Sequence, residues 1–138
     1  MYEYYVRKVE GVVDGDTIDV LIDLGFDILF ASRVRLAGID TPESRTKDLN
    51  EKALGLEAKE YLKKQLKDAK SVIIKTEKMD SSEKYGRILG WIYVDNNTVS
   101  LNDQMIEDGY AWGYLGDTKV KDFNALAKQR EIAKKKAK

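Results

Sequence analysis

Three short clusters in this chain hold residue types whose combination fits hydrolysis of a phosphate ester. They are Asp14-Gly15-Asp16-Thr17, Arg35-Leu36-Ala37-Gly38-Ile39-Asp40-Thr41-Pro42-Glu43, and Lys84-Tyr85-Gly86-Arg87. Asp16 and Asp40, with a backbone carbonyl such as that of Thr41 and with water, would make an oxygen cage suited to Ca²⁺ or Mg²⁺. Glu43, on a loop after Pro42, could orient or deprotonate a water for attack on phosphorus. Arg35 and Arg87 are planar, permanently charged forks that can each grip a phosphate through paired hydrogen bonds. Loss of one donor that stabilises charge on phosphoryl oxygens typically costs about 2.7–4 kcal/mol of transition-state stabilisation.

Each of these residues also has a plainer role open to it. The aspartates could be turn formers bonded to local amides, Glu43 an exposed loop acid, and the arginines partners in internal salt bridges. Taken singly, the plainer role is the better expectation. Taken as a set, the residues point to a metal-dependent nuclease. Tyr85, Tyr110, Trp112 and Tyr114 could add stacking faces for bases or a hydroxyl for a phosphate, although most aromatic residues at such spacing are core. Trp91, alternating with Ile92 and Tyr93, is assigned to packing.

Composition narrows the chemistry further. The chain has no cysteine, which excludes disulfides, thiolate catalysis and zinc–thiolate sites. It has no histidine either, so imidazole bases and the commonest transition-metal ligand are absent. At 138 residues, 43% hydrophobic and 35% charged, it reads as one soluble globular domain over residues 1–138, large enough for its own core. No stretch approaches the length of a membrane span. The first residues lack a basic start followed by an apolar run, so the expectation is an intracellular protein, or a secreted one whose export signal is missing from this chain.

Net charge is formally zero, unusual for a nucleic-acid binder, but charge is unevenly spread. Residues 1–50 hold six basic against ten acidic side chains, and Lys119–Lys138 hold eight against two. An acidic half suits a cation and a basic half a polyanion, although the lysine-rich end alone reads best as a solvated helix face.

The elements that must position these clusters follow from periodicity. Tyr4 to Val13 alternates as a half-buried strand. Asp14-Gly15-Asp16 is a turn, with Gly15 free to take positive φ, and Thr17 to Leu24 alternates again. Gly25 turns the chain into a third strand, Ile28 to Leu36, whose run ends at Ile39. Three strands joined by tight turns predict an antiparallel meander. Ser44 to Glu51, polar and aperiodic, reads as a mobile loop. Ala53 to Lys70 carries Leu54, Ala58, Tyr61, Leu62, Gln65, Leu66 and Ala69 at helical spacing. Val72-Ile73-Ile74 and Ile88 to Val94 are strands, with Asp95-Asn96-Asn97 as a hairpin turn leading to Val99. Ser100 is a helix N-cap and Gly109 a helix stop. Asp117-Thr118 is a second capping position, before a helix from Val120 that contacts the body through Phe123, Leu126, Ala127 and Ile132. The reading is a small β-barrel with helices laid on it.

These clusters, in this order, resemble the staphylococcal nuclease (thermonuclease) family, including its compact phage or prophage versions. The similarity runs from about Val9 to Lys136 and includes the helix entry Ala53-Leu54-Gly55-Leu56-Glu57-Ala58. Asp-Gly-Asp-Thr alone is a weak signal. Joined to Arg-x-x-x-x-Asp-Thr-Pro-Glu and a later Tyr-Gly-Arg, it is a strong one. The resemblance implies an α+β fold: an OB-type five-stranded antiparallel β-barrel with three α-helices. It implies Ca²⁺, less readily Mg²⁺ or Mn²⁺, held by Asp16, Asp40 and the Thr41 carbonyl, with Asp14 in the surrounding shell. Arg35 and Arg87 would grip the phosphate and Glu43 would act on the water. Lys84 and Tyr85 would contact the neighbouring phosphate, and Tyr114 a base. It implies a monomer acting on DNA and RNA, with single-stranded DNA favoured and 3′-phosphate ends released. The best-known relatives are strongly basic. This neutral chain should bind with weaker salt dependence, because fewer phosphates are neutralised. A noncatalytic OB-fold module for nucleic acid or protein, and a structural scaffold, are the rival readings, although such silent modules often lack the acids and arginines retained here.

Overall fold

The computed structural model describes residues 2–76, 88–114 and 121–136. The elements in order are β1 (Tyr2–Asp14), β2 (Thr17–Asp23), β3 (Leu29–Leu36), β4 (Ile39–Asp40), α1 (Leu49–Asp68), β5 (Val72–Thr76), β6 (Ile88–Val94), α2 (Leu101–Glu107), β7 (Trp112–Gly113) and α3 (Phe123–Lys136). Five strands close a barrel in the order β1-β2-β3-β6-β5, and β4 pairs with β7 in a separate two-stranded sheet. The five strands and three helices match the expected α+β barrel, but the sheet is mixed, not antiparallel throughout. β3 and β6 run parallel, from Val34↔Ile88 to Leu36↔Gly90. A meander rule reaches only strands joined by short turns, and this closure joins strands separated by a helix and two other strands.

Alternation in the sequence becomes burial in the barrel. Ile18, Val20 and Ile22 of β2 are buried while Asp19, Leu21 and Asp23 between them are half-exposed. They meet Val34, Leu36, Ile74, Ile92 and Val94 from the other strands, and Ala58, Leu62 and Leu66 of α1 close one side of this core. β1 follows the curvature through three register breaks against β2, between Val6 and Lys8, Val9 and Gly11, and Val12 and Asp14.

Several local readings are corrected. Helix α1 starts within the segment expected to be a loop, because Asp48 caps it, accepting from the N–H groups of Asn50 (3.0 Å) and Glu51 (3.2 Å). Its first turn buries no apolar residue, since Leu49 is 79% exposed and the next three residues are polar, so hydrophobic periodicity is blind to it. Asp95 and Asn96 take left-handed φ values of 51° and 60°, but no hairpin partner follows. Instead the Asp95 carboxylate accepts from the N–H groups of Lys70 (2.7 Å) and Ser71 (3.0 Å), and Ser100 caps α2 through the Asp103 N–H. On α3, Leu126 is buried, Phe123 and Ala127 are half-buried, and Ile132 is exposed. The capping position expected at Asp117-Thr118 lies outside the described residues; the Asp122 carboxylate accepts from Ala125 N–H at the start of the helix.

The residue that seats α3 is Arg130, only 2% exposed. Its guanidinium donates to the carbonyls of Gly109 (3.1 Å) and Leu54 (3.3 Å) and pairs with Glu57 (2.5 Å), over the ring of Tyr110 at 4.3 Å. Tyr110 stacks on Tyr61 at 4.2 Å, and the Tyr61 hydroxyl donates to Asp108 at 2.7 Å. All three helices thus meet around one polar cluster.

Asn102 of α2 performs a similar task where the helix meets β6 and the end of β3. Fully buried, it accepts from the Ile92 N–H (3.0 Å) and donates to the carbonyls of Ala37 (2.8 Å) and Gly90 (3.0 Å). Replacement of Asn102 by Ala leaves buried backbone groups unpaired and should destabilise the fold by about 3 kcal/mol in urea unfolding. A loss well under about 1 kcal/mol would show that these groups find other partners.

A second expectation concerns pH. Burial and then the Asp108 hydrogen bond push the Tyr61 pKa well above the ordinary tyrosine range. The folded protein therefore keeps a proton that the unfolded chain releases above about pH 10. Stability from this group is complete below that pH and is lost as pH rises beyond it. Between about pH 8 and about pH 11 the parent should lose more unfolding free energy than Tyr61→Phe does; equal losses would contradict the assignment.

Candidate functional site

Asp16, Arg35 and Asp40 are brought together by three different stretches of chain. Thr17 is in register with Arg35 across the β2–β3 pair, and the Asp16 carbonyl accepts from the Leu36 N–H at 2.8 Å. These contacts set the Asp14–Asp16 turn beside the end of β3. The Ala37 N–H then donates to the Gly90 carbonyl at 2.9 Å, and Gly38, with φ +76°, turns the chain into β4. Pairing of Asp40 with Trp112, and a 2.7 Å bond from Tyr114 N–H to the Gly38 carbonyl, hold that turn in place.

The result is one guanidinium between two carboxylates. Arg35 Nη1 lies 3.5 Å from Asp16 Oδ2, and Nη2 lies 3.8 Å from Asp40 Oδ1. The Arg35 and Asp16 side chains are each 14% exposed, which makes this pairing far less screened than a surface ion pair. Arg35 also donates to the Leu36 carbonyl at 3.0 Å, and its guanidinium lies 6.0 Å from the centre of the Tyr114 ring. The Thr17 hydroxyl donates to Asp16 at 2.9 Å and fixes the orientation of that carboxylate. Asp40 has a second cation, Lys121 Nζ at 3.8 Å, just before α3. The sequence reading missed Lys121, which nothing but its place in a lysine-rich segment distinguishes.

Gly15 is required for a reason other than the one expected. Its φ is not among the positive values; a Cβ there would lie 2.9 Å from Ala58 Cβ and 3.1 Å from Thr41 Cγ2. The turn is pressed between α1 and Thr41, and only hydrogen fits. Asp14 faces the other way: it accepts a short hydrogen bond from the Ser44 hydroxyl and pairs with Arg45 at 3.7 Å. It thereby holds the segment just past Glu43.

Glu43 is anchored by its backbone and free at its side chain. Thr41, Pro42 and Ser44 around it are buried, and its own N–H donates to Glu51 at 3.1 Å. The Glu43 side chain is exposed and has no ion-pair partner among the described residues. Gly55 of α1 makes this approach possible, since a Cβ there would lie 2.5 Å from the Glu43 carbonyl oxygen and 2.6 Å from that of Pro42. Lys84, Tyr85 and Arg87 lie outside the described residues.

The donor set can be tested against a metal. No group of three or more carboxylate, histidine or cysteine side chains is gathered among the described residues. Two carboxylates that share one guanidinium, in a chain with no histidine or cysteine, make a hard-oxygen set. Such a set fits Ca²⁺ or Mg²⁺ completed by water.

Comparison with known proteins shows the family. The family described as staphylococcal nuclease homologue matches residues 33–138, which include Arg35, Asp40 and Glu43. The chain belongs to the staphylococcal nuclease family. An uncharacterized protein of Methanocaldococcus jannaschii is 31% identical over 88% of this chain and 65% of its own length. Micrococcal nuclease of Shigella flexneri is 30% identical over 94% of the chain and 70% of its own. The SPbeta prophage-derived endonuclease YokF of Bacillus subtilis is 29% identical over 91% of the chain. This chain spans just under two thirds of the archaeal relative and 40% of YokF. No helix among the described residues is long and apolar enough to cross a membrane.

The packing at Gly55 sets two effects of opposite sign against each other. Alanine in place of a mid-helix glycine ordinarily gains about 1 kcal/mol of helix propensity. Here the added methyl meets backbone atoms that cannot move without shifting Glu43, an overlap that typically costs about 1–3 kcal/mol. Gly55→Ala should therefore lower stability in thermal unfolding, and a net gain would show that the Pro42–Glu43 backbone is not held against α1.

Proposed function

We propose that this family member is a Ca²⁺-dependent nuclease that cleaves phosphodiester bonds in DNA, preferably single-stranded, and in RNA, leaving 3′-phosphate ends. The observation that carries the reading is the convergence of Asp16, Arg35 and Asp40, with Glu43 exposed on an anchored backbone nearby in sequence. Nuclease names among the relatives support the reaction class.

Asp16, Asp40 and the Thr41 carbonyl would hold the cation, which when bound supplies Lewis-acid polarisation of a phosphoryl oxygen. Glu43 orients a water and accepts its proton as the new oxygen–phosphorus bond forms. The bond from phosphorus to the 5′ oxygen breaks, the phosphate stays on the 3′ side, and the leaving oxygen takes a proton. Arg35 and Arg87 stabilise the charge that builds on the phosphoryl and leaving oxygens. Binding of a phosphate would give Arg35 a new anionic partner in addition to its two carboxylates. Lys84 and Tyr85 contact the neighbouring phosphate, Tyr114 a base, and Asp14 steadies the Glu43 segment. The protein acts as a monomer.

Cleavage of single-stranded and duplex DNA should be compared in Ca²⁺, in Mg²⁺ and in chelator, for the parent and for Asp16→Ala, Glu43→Ala and Arg35→Gln. The parent should cut with Ca²⁺ and not in chelator. Each variant should lose on the order of a hundredfold or more in rate while still folded. A folded parent that binds an oligonucleotide without Ca²⁺ and cuts under no metal would make the domain a noncatalytic binding module.

A further inference from the structure

Strand β1 pairs with β5 only from Tyr2↔Thr76 to Tyr5↔Ile73, and then the two part. Between Val6–Val12 of β1 and the last turns of α1 the gap opens into a cavity of about 440 Å³. That volume lies within the ordinary range for small-ligand sites. Its floor is apolar, made by Val6, Val9 and Leu66, which pack on the barrel core. Its rim is cationic, with Arg7, Lys8, Lys63, Lys67 and Lys70 against a single acid, Glu10.

The rim charges are poorly satisfied. Lys8 meets Glu10 and Arg7 meets Asp23 only at 4.0 Å on the surface, and Lys63, Lys67 and Lys70 have no ion-pair partner among the described residues. Lys63 and Lys67 are one helical turn apart, where like charges repel. An anion over them would relieve that repulsion. Gly11 leaves room at the opposite wall: a Cβ there would meet nothing within 4 Å, and its φ is not left-handed.

Both walls lead to the candidate site. β1 ends at Asp14, two residues beyond Val12, and Ala58 of α1 lies against Gly15. From Ala58 to Lys67 the helix rises roughly 13 Å, within reach of a few nucleotides of extended strand.

We propose that this cleft is an accessory subsite for the substrate strand, in which the three lysines take phosphates flanking the cleaved one and the apolar floor underlies a sugar or base. The proposal deepens the nuclease reading and takes the identity of the polymer from it. Lys63 and Lys67 are roughly 6 Å apart along the helix and Lys70 lies two residues past its end at Asp68, a spread wider than one phosphate group covers, which favours a strand over a free mononucleotide. An acidic peptide adding to the β1 edge would need regular register, and β1 is bulged at both Val6/Lys8 and Val9/Gly11.

The test is binding rather than cleavage, by fluorescence anisotropy in chelator and in a Glu43→Ala background. Labelled single-stranded oligonucleotides of about four and about sixteen nucleotides bracket the site sizes of OB-type folds. The parent background should bind the longer one more tightly. Lys63→Gln/Lys67→Gln/Lys70→Gln should lose on the order of tenfold for the longer oligonucleotide and little for the shorter, and its salt slope should fall by about 2. Gly11→Glu, which places an acid in the cleft while leaving the lysines in the sequence, should have the same length-selective effect, and unfolding curves establish that both variants fold. Equal binding of the two lengths, or an unchanged long-oligonucleotide affinity in both variants, overturns the subsite. Displacement of the long oligonucleotide by a mononucleotide or by poly-glutamate as readily as by unlabelled strand overturns it in favour of those ligands. Cleavage of short substrates with no length effect leaves the nuclease reading standing alone. Length-selective binding by a folded Glu43-containing protein that cuts nothing leaves the subsite standing alone.

Discussion

The structure depends on what happens where β3 leaves β6. Parallel pairing of these strands closes the barrel, yet it must stop at Leu36 so that the chain can turn at Gly38 and carry Asp40 back toward Arg35. Ending a ladder inside a protein leaves N–H and C=O groups that water cannot reach, and each is expensive if unpaired. Asn102 meets that constraint with one side chain, accepting from Ile92 and donating to Ala37 and Gly90. Because Asn102 belongs to α2, the position of that helix, the end of the barrel and the turn before Asp40 are set together.

The same coupling of fold and site continues outward. Gly15 and Gly55 let two catalytic-candidate segments lie directly on α1, so the helix acts as the common backing for Asp16 and Glu43. Arg130 then ties α1 to α3 through Leu54 and Glu57, and α3 follows Lys121, the second cation on Asp40. Distances within the candidate site are therefore properties of the whole helical layer. Asp16 and Asp40 share a single guanidinium at 3.5 and 3.8 Å, an arrangement that keeps two acids close without leaving their charges unopposed.

Much of this was legible before any coordinates. Alternating β2, the helical face Leu54-Ala58-Leu62-Leu66 and the Ser100 cap are local patterns, and they stand where expected, while Arg35 takes the internal salt bridges named above as its plainer role. Readings failed where a distant contact overrode a local one. Ile132 reads as inward-facing because it is apolar, but the burial stripe of α3 runs through Leu126 to Arg130. A charged residue is a poor core candidate until carbonyls, a carboxylate and an aromatic ring are assembled around it. The start of α1 escapes periodicity because its first turn buries no apolar residue, and Asp95 reads as a hairpin residue because its tertiary partners, the Lys70 and Ser71 amides, lie far from it in the chain.

Residue chemistry and short spacings are intrinsic to the chain, so the sequence alone bounded the chemistry open to it. Without histidine or cysteine, acid–base chemistry falls to carboxylate, Lys, Tyr or Arg side chains, and any metal to oxygen ligands. It also determined the family and the approximate elements. The tertiary structure alone decided the parallel closure of the barrel, the sharing of Arg35 between two aspartates, the recruitment of Lys121, and the cationic cleft between β1 and α1. Each of these joins groups far apart in the chain. Their proximity follows from how sheet closure and helix packing satisfy buried polar groups together, which no local pattern encodes.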